Sequence, residues 1–272
     1  MQTTEVSGIK SYHFENLSSF DNIVHFVTSR KGGYSKGQFE GLNIGFNIGD
    51  NNWNVFRNRK LLSDALGIPL ESFTFSGQCH SSNIAIIGNK LRGCGATDEK
   101  SSVQNFDSMI TSLLNTCISI KVADCVPILL YDKEKHIAAA LHAGWKGTIN
   151  KIAEKTVEKL LDFCSSQARD IFAGIGPSIG PCCYEVGEDV YREYKFSGGT
   201  KKNIISPAKQ QGKYYFDLWQ ANKEQLIEIG VKPEHIELAS ICTKCNNEDF
   251  FSSRATDGNT GRFAAGIMLK KQ

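Results

Sequence analysis

Asp124-Cys125-Val126-Pro127-Ile128-Leu129-Leu130-Tyr131-Asp132-Lys133-Glu134-Lys135-His136-Ile137-Ala138-Ala139-Ala140-Leu141-His142 consists of two apolar runs joined by a short polar link. Runs of this length read as strands, and four polar residues are enough to turn one back on the other. With residues 132–135 as the turn, Tyr131 opposes His136 and Cys125 opposes His142. Directly opposed residues carry their Cβ atoms about 5 Å apart on one face, a gap that two ligands of one metal close. Pro127 cannot donate to a ladder, so this strand is expected at a sheet edge or bulged near Cys125.

Further strand-like runs lie at residues 23–28, 72–78, 83–87, 116–123, 171–175 and 236–241. Helices are expected over 54–66, ending at Gly67 and Pro69, and from Thr148 as N-cap to Phe163. A short one follows Gly187, and a fourth opens at Asp217, with Gln220 in capping-box spacing, and closes at Gly230. Strands outnumber helices, and hairpin-length turns join some of them. That argues for an α/β (α+β) fold, a layered sandwich of mixed sheets covered by helices, and against a doubly wound sheet. No repeat, linker or low-complexity segment divides residues 1–272, so a single domain is expected.

The chain has 272 residues with 40% hydrophobic content, which excludes a mainly disordered protein. Lys and Arg number 31 against 29 acidic residues, leaving no broad basic field for nucleic acid or an anionic membrane. The tightest basic pairs, Lys201-Lys202 and Lys270-Lys271, read as solvated surface. The N-terminus lacks the pattern of a leader, and the apolar runs fall far short of the ~20 residues that cross a membrane. Nine scattered cysteines, an odd number in a chain that needs no staples, point to reduced thiols and a cytoplasmic setting.

Cys125 and His142 both stand where apolar strands give way to loops, and His80 follows the run ending at Gln78 in the same manner. His13, His136 and His235 lie in polar or turn-like surroundings, whereas His25, inside an apolar run, is the rival ligand. One thiolate and two imidazoles suit Zn²⁺ with its fourth position open, the pattern of a catalytic site. The plainer alternative is a buried small thiol beside a core histidine. A third reading takes Cys125 as nucleophile and His142 as base of a metal-free cysteine hydrolase, which has no use for His80.

Taken in order, Arg30-Lys31-Gly32-Gly33, Gly41-Leu42-Asn43-Ile44-Gly45, Gln78-Cys79-His80, Ala123-Asp124-Cys125-Val126-Pro127, His142-Ala143-Gly144-Trp145, Gly176-Pro177 with Cys182-Cys183-Tyr184-Glu185-Val186-Gly187, and Thr260-Gly261-Arg262 resemble the laccase-domain family. This YfiH-like family is also called "multicopper polyphenol oxidase", and the resemblance spans nearly the whole chain. It implies an α/β domain with sheets between helices and one Zn²⁺ per chain, held by His80, Cys125 and His142. It also implies phosphorolysis of adenosine, inosine and S-methyl-5′-thioadenosine, with adenosine deaminase activity besides. Purine nucleosides and inorganic phosphate are then the partners. The family is further linked to hydrolytic editing of peptidoglycan precursors, the setting in which a Cys125/His142 dyad would act. Copper-dependent phenol oxidation is the weakest reading, because several coppers need many histidines and the chain has six. The chain departs from the family's usual residues at Cys79 (Val), Lys146 (Arg), Phe26-Val27 (Gly-Phe) and Ser252-Ser253-Arg254-Ala255 (Ser-Tyr-Arg-Arg).

Asp124, beside the candidate ligand, is expected to serve as base or to orient the metal site. Arg30, at a glycine-rich turn, and Arg59 are candidates for phosphate contacts; the alternative for Arg59 is the exposed face of the first helix. Asn43, an amide in an apolar run, needs a partner that a nucleoside could supply. Cys183 follows a Gly/Pro-rich loop and is expected to line the site. Residues 41–49 lack the Lys-Ser/Thr ending of a P-loop, although their N–H groups could cradle an anion. Trp145, Phe46 and Tyr184 read as core aromatics first and purine platforms second. Cys242-Thr243-Lys244-Cys245 and Cys182-Cys183 are expected to take separate roles, with a joint all-thiolate zinc site as the lesser reading.

Overall fold

The structure, a computed structural model, describes residues 1–201 and 203–271. Lys202, one of the lysines read as solvated surface, lies outside the described residues; its neighbour Lys201 pairs with Glu224 and Glu228.

Three sheets carry the fold. The first has seven strands in the order Gln2–Val6, Ile9–His13, Ile23–Thr28, Phe263–Leu269, Cys117–Val122, Phe73–Gly77 and Val103–Gln104. The second has six: Ile236–Leu238, Ile171–Ile175, Val126–Asp132, Ile137–Ala143, Ser108–Thr111 and Ile84–Ile86. Both mix parallel with antiparallel pairs. A small antiparallel sheet of Glu185–Gly187, Lys213–Phe216 and Ile205–Pro207 stands apart from them.

The two large sheets face each other. Ile118, Ile120, Ala265 and Ile267 of the first pack against Met109, Leu129, Tyr131 and Ala138 of the second. On its other face the second sheet buries Ile128, Leu130 and Ala139 under the helices Ile152–Cys164, Glu188–Phe196 and Leu218–Glu228. The outer face of the first sheet, with Phe26, Phe73 and Phe75, is covered by Leu62 of the helix Asn52–Leu66. Helices therefore enclose a double layer of sheets. Among the described residues no helix is long and apolar enough to cross a membrane.

The hairpin forms, but its register lies two residues from the expected one. Ile137 opposes Asp132, and His142 opposes Pro127. The cause is Asp132, whose Oδ1 accepts the N–H groups of Glu134 and Lys135, both at 2.9 Å. This keeps Asp132 in the strand and ties the turn beyond it, which ends in the left-handed residue His136 (φ +51°). Side chains alternate with period two, so a shift of two leaves Cys125 and His142 on the same face. Pro127 is not at an edge, because Val126–Asp132 is third of six strands. The ladder to Ile171–Ile175 stops at Ile128, and the missing proline donor falls just past it.

A second correction concerns the helix expected from Thr148. Two helices occur instead, Trp145–Ile149 and Ile152–Cys164, separated by Lys151 in the left-handed region (φ +60°). Thr148 lies inside the first, where its hydroxyl accepts from Asn222 at 3.0 Å. Asp217 does cap its helix, accepting Gln220 N–H at 2.9 Å.

His25 is no ligand. It sits buried in the first sheet, where its Nε2 accepts the Phe14 N–H at 2.8 Å. Burial, and the neighbouring His13, hold its imidazole down to about 3. The unfolded chain, with a histidine near 6.5, therefore takes up this proton first. The stability it contributes is complete above about pH 6.5 and is lost as pH falls toward 3. Denaturant titrations at pH 7.5 and 4.5 should show a loss about 3 kcal/mol smaller in His25→Gln than in the native protein. An equal loss in both would place the acid sensitivity elsewhere.

Candidate metal centre and active site

The chain crosses from the first sheet to the second through Asp124-Cys125, between Cys117–Val122 and Val126–Asp132. His142 stands near the end of Ile137–Ala143, and His80 three residues beyond Phe73–Gly77. Strand ends from both sheets thus deliver three side chains to one point. Two of these segments adopt left-handed backbone, at His80 (φ +60°) and Asp124 (φ +85°), conformations that need a surrounding structure to hold them.

The donor atoms of His80, Cys125 and His142 all lie within 4.8 Å of one another, and the two imidazoles meet edge to face with centroids 4.9 Å apart. Gly144 leaves the space they occupy. A Cβ at that position would lie 2.9 Å from His80 Cδ2 and 3.1 Å from Cys125 Sγ, so the glycine of His-Ala-Gly-Trp is required by the ligands themselves.

Asp107, which the sequence reading missed, organises this group. It is fully buried, and its Oδ1 accepts from His142 Nδ1 at 2.8 Å and from His80 N–H at 3.0 Å. Its Oδ2 accepts the N–H groups of Ser81 at 2.7 Å and Cys79 at 3.2 Å and the Ser81 hydroxyl at 2.8 Å. With Nδ1 engaged, His142 turns Nε2 toward the other two donors. Burial alone would raise the Asp107 carboxyl, but its bonds to His142 and Ser81 hold it well below the usual carboxylate range. Burial would likewise raise the Cys125 thiol, yet His142 and His80 bring it down to about 6. Against burial, Cys125 and Asp107 lift His142 to about 9. The two imidazoles thus favour the thiolate of Cys125, the form in which cysteine binds metal or attacks an electrophile.

A cleft of about 640 Å³ opens over these residues. His80, Cys125, His142 and Asp124 line it together with Phe46, Tyr184, Lys121, Arg254 and Arg262. Such a volume suits a small-molecule site. Both oxygens of Asp124 are engaged, Oδ1 by the Thr243 hydroxyl and Oδ2 by Arg254 N–H, each at 2.6 Å. Its carboxylate thus fastens the loops that carry Thr243 and Arg254, and the contact that orients a candidate ligand is made by Asp107 instead.

Four candidates stand elsewhere. Arg30 does not line the cleft; it donates to the carbonyls of Glu40 at 3.0 Å and Asn247 at 3.1 Å and lies over the Phe251 ring, bracing its turn. Arg59 is neither a cleft residue nor on the exposed face of its helix. It is buried, donating to the carbonyls of Ile44, Gly95 and Ala96 between the rings of Phe46 and Phe75. Asn43 finds its partners within the protein, giving its amide to Asp50 at 2.7 Å and accepting from the N–H groups of Gly45 and Arg262. Cys183 joins Cys182, Cys242 and Cys245, whose sulfurs lie within 4.8 Å of one another, so the two cysteine pairs converge and do not take separate places. Of the aromatics, Phe46 and Tyr184 face the cleft while Trp145 packs into the core. Gly45 and Ile48 from the glycine-rich stretch also line it.

The family model described as multi-copper polyphenol oxidoreductase laccase matches residues 24–270. The chain belongs to this family. Among relatives of this laccase-type chain, the purine nucleoside phosphorylase of Bacteroides thetaiotaomicron is 36% identical over 95% of the chain and 96% of its own length. Adenosine deaminase RL5, from an unknown prokaryotic organism, is 32% identical over 93% of the chain and 96% of its own length. The crystal structure of the Bacillus licheniformis hypothetical protein YfiH matches with a TM-score of 0.92 at 30% identity, covering 98% of this chain and 99% of that one. The laccase-type fold expected from the sequence motifs, sheets between helices, is the one observed.

Proposed function

We propose that this chain is a zinc-dependent purine nucleoside phosphorylase acting on adenosine, inosine and S-methyl-5′-thioadenosine, with adenosine deaminase activity at the same site. The observation that carries the reading is the convergence of His80, Cys125 and His142 on the floor of a nucleoside-sized cleft. The names of the relatives supply the reaction class. A borderline-soft cation with a preference for one thiolate and two imidazoles fits this donor set. When bound, Zn²⁺ supplies Lewis acidity and acidifies water toward a pKa of about 7.

The chain's own residues do the rest. Asp107 fixes the tautomer of His142, and Asp124 holds Arg254 at the cleft. Phe46 and Tyr184 offer faces to a purine, and Arg254 and Arg262 bring positive charge to the cleft for a phosphate, while Lys121 is paired with Glu99 at 2.7 Å. Phosphorolysis moves the ribosyl group from the base to a phosphate oxygen, whereas deamination exchanges the C6 amine for the oxygen of water. Only the first needs the cations to bind an anion.

Among the described residues, copper oxidation lacks histidine ligands beyond His80 and His142. His13 and His25 bond to neighbouring backbone and hydroxyl groups, His136 to Tyr131 and Lys270, and His235 stacks on Phe172. A metal-free Cys125/His142 dyad would leave the edge-on placement of His80 without a purpose. The free thiols accord with a reducing cytoplasm.

Elemental analysis of protein purified without added metal, followed by chromatography of adenosine, inosine and methylthioadenosine with and without phosphate, tests the reading. Free base should appear only with phosphate, and inosine should form from adenosine without it. Metal-free protein with full activity would sink it. Phosphate recognition is tested separately. Arg262→Ala should raise the KM for phosphate tenfold or more, about 1.4 kcal/mol, and change deamination less than about threefold. Arg30→Ala should instead lower Tm and leave that KM in place, the reverse of the expectation from the sequence.

A further inference from the structure

The loop after Ile171–Ile175 brings Cys182 and Cys183 beside Cys242 and Cys245, outside the cleft. Cys183 Sγ lies 3.4 Å from Cys245 Sγ, and Cys182 Sγ lies 3.7 Å from it. A tetrahedron with Zn–S arms of about 2.3 Å has edges of about 3.8 Å; the two Cys245 separations are close to that edge, and every other pair of the four sulfurs lies within 4.8 Å. A multi-iron cluster needs its sulfurs spread around several metals, wider than this. A disulfide would require two sulfurs about 2 Å apart.

The backbone around the sulfurs is arranged for thiolates. Cys242 Sγ accepts the Gly180 N–H at 3.2 Å. The Cys242 carbonyl accepts from Asn246 N–H at 3.0 Å, closing a tight knuckle around Cys-x-x-Cys. A bridge between Ser178 and Cys242 fixes the two loops against each other.

We propose that Cys182, Cys183, Cys242 and Cys245 bind a second Zn²⁺, a structural tetrathiolate site distinct from the one in the cleft. All four positions of the ion are taken by protein, so this metal is not catalytic. Its place explains its purpose. Tyr184, next to Cys183, lines the cleft, and Thr243, inside the knuckle, hydrogen-bonds Asp124 beside the ligand Cys125. The ion ties together two loops that form one wall of the cleft and that no regular sheet pairing joins.

Zinc content after reconstitution and dialysis under reducing conditions tests this apart from the cleft reading. Cys125→Ala and, as a second background, His80→Ala should each retain about one equivalent, with X-ray absorption showing four sulfur neighbours near 2.3 Å. Adding Cys245→Ser to either should remove that metal, and a mercurial titration of Cys125→Ala should release it. If the cleft reading alone fails, the native protein holds one equivalent with the same all-sulfur signature. The proposal is overturned if both backgrounds are free of zinc, if nitrogen or oxygen neighbours dominate, or if an iron–sulfur absorption appears instead. It is equally overturned if the denatured native protein, without reductant and with chelator, yields fewer than its nine thiols, since a disulfide then occupies the place of the ion.

Discussion

Cys125→Ala is expected to abolish phosphorolysis and deamination together, by roughly a thousandfold or more, the scale of losing a Lewis acid worth several kcal/mol. The substitution removes the only thiolate of the three donors and leaves two imidazoles. Cys79→Val is the control. Cys79 is exposed, and its firmer contact with Asp107 is made by its backbone N–H, which valine keeps. Both activities should stay within about twofold in that variant. The decisive measurement is the pair of rates on purified Cys125→Ala after chelation. Full phosphorolysis there would separate the metal group from the active site, whereas hydrolysis of another substrate class that survives chelation in the native protein and is lost in Cys125→Ala would point to the thiolate acting as nucleophile.

Local pattern carried most of the fold, and it failed where distant residues decide. Ile23–Thr28 and Ile171–Ile175 match the expected strands because branched apolar runs bounded by polar residues have few other outcomes. Phe263–Leu269 lies outside the expected strands: its Ala-Ala-Gly centre has little strand propensity, and it pairs because one neighbour on each side, Ile23–Thr28 and Cys117–Val122, supplies a ladder. The hairpin register was displaced by one Asp side chain that bonds its own turn, a choice invisible to a count of turn residues. The site repeats the lesson. His80, Cys125 and His142 could be read because ligand chemistry restricts the residue types, and the face they share survives a two-residue slip. Arg30 and Arg59 read as phosphate contacts because guanidinium groups suit anions, and Asn43 as a nucleoside contact because an amide in an apolar run demands a partner; here backbone carbonyls engage both arginines, and Asp50, Gly45 and Arg262 engage Asn43. Cys182 and Cys245 are 63 residues apart, and only the bridge of their two loops unites them.

Asp107 shows what such distant contacts do to function, and its replacement carries the second large expected effect. Asp107→Asn keeps the volume and removes the charge, so one of its two faces must turn an amide N–H toward donors. If that N–H faces Ser81 and Cys79, two backbone N–H bonds are lost from a fully buried group and the Ser81 hydroxyl must turn from donor to acceptor. If it faces His142, the imidazole must accept at Nδ1 and carry its proton on Nε2, the nitrogen turned toward the metal donors. Either outcome weakens the site, the first by loosening the His80 segment and the second by imposing the wrong tautomer. Outer-sphere partners of this kind are worth roughly 10- to 100-fold in metal affinity. Competition with a chromophoric chelator should therefore show a zinc Kd raised by that factor in Asp107→Asn, and unfolding should show stability lower by about 1 to 3 kcal/mol. Excess zinc should restore much of the activity without restoring the lost stability, since mass action refills the site but does not repair the buried bonds. An unchanged Kd would mean that Asp107 only braces the loop; a raised Kd with no rescue by zinc would mean that its charge acts on the reaction itself.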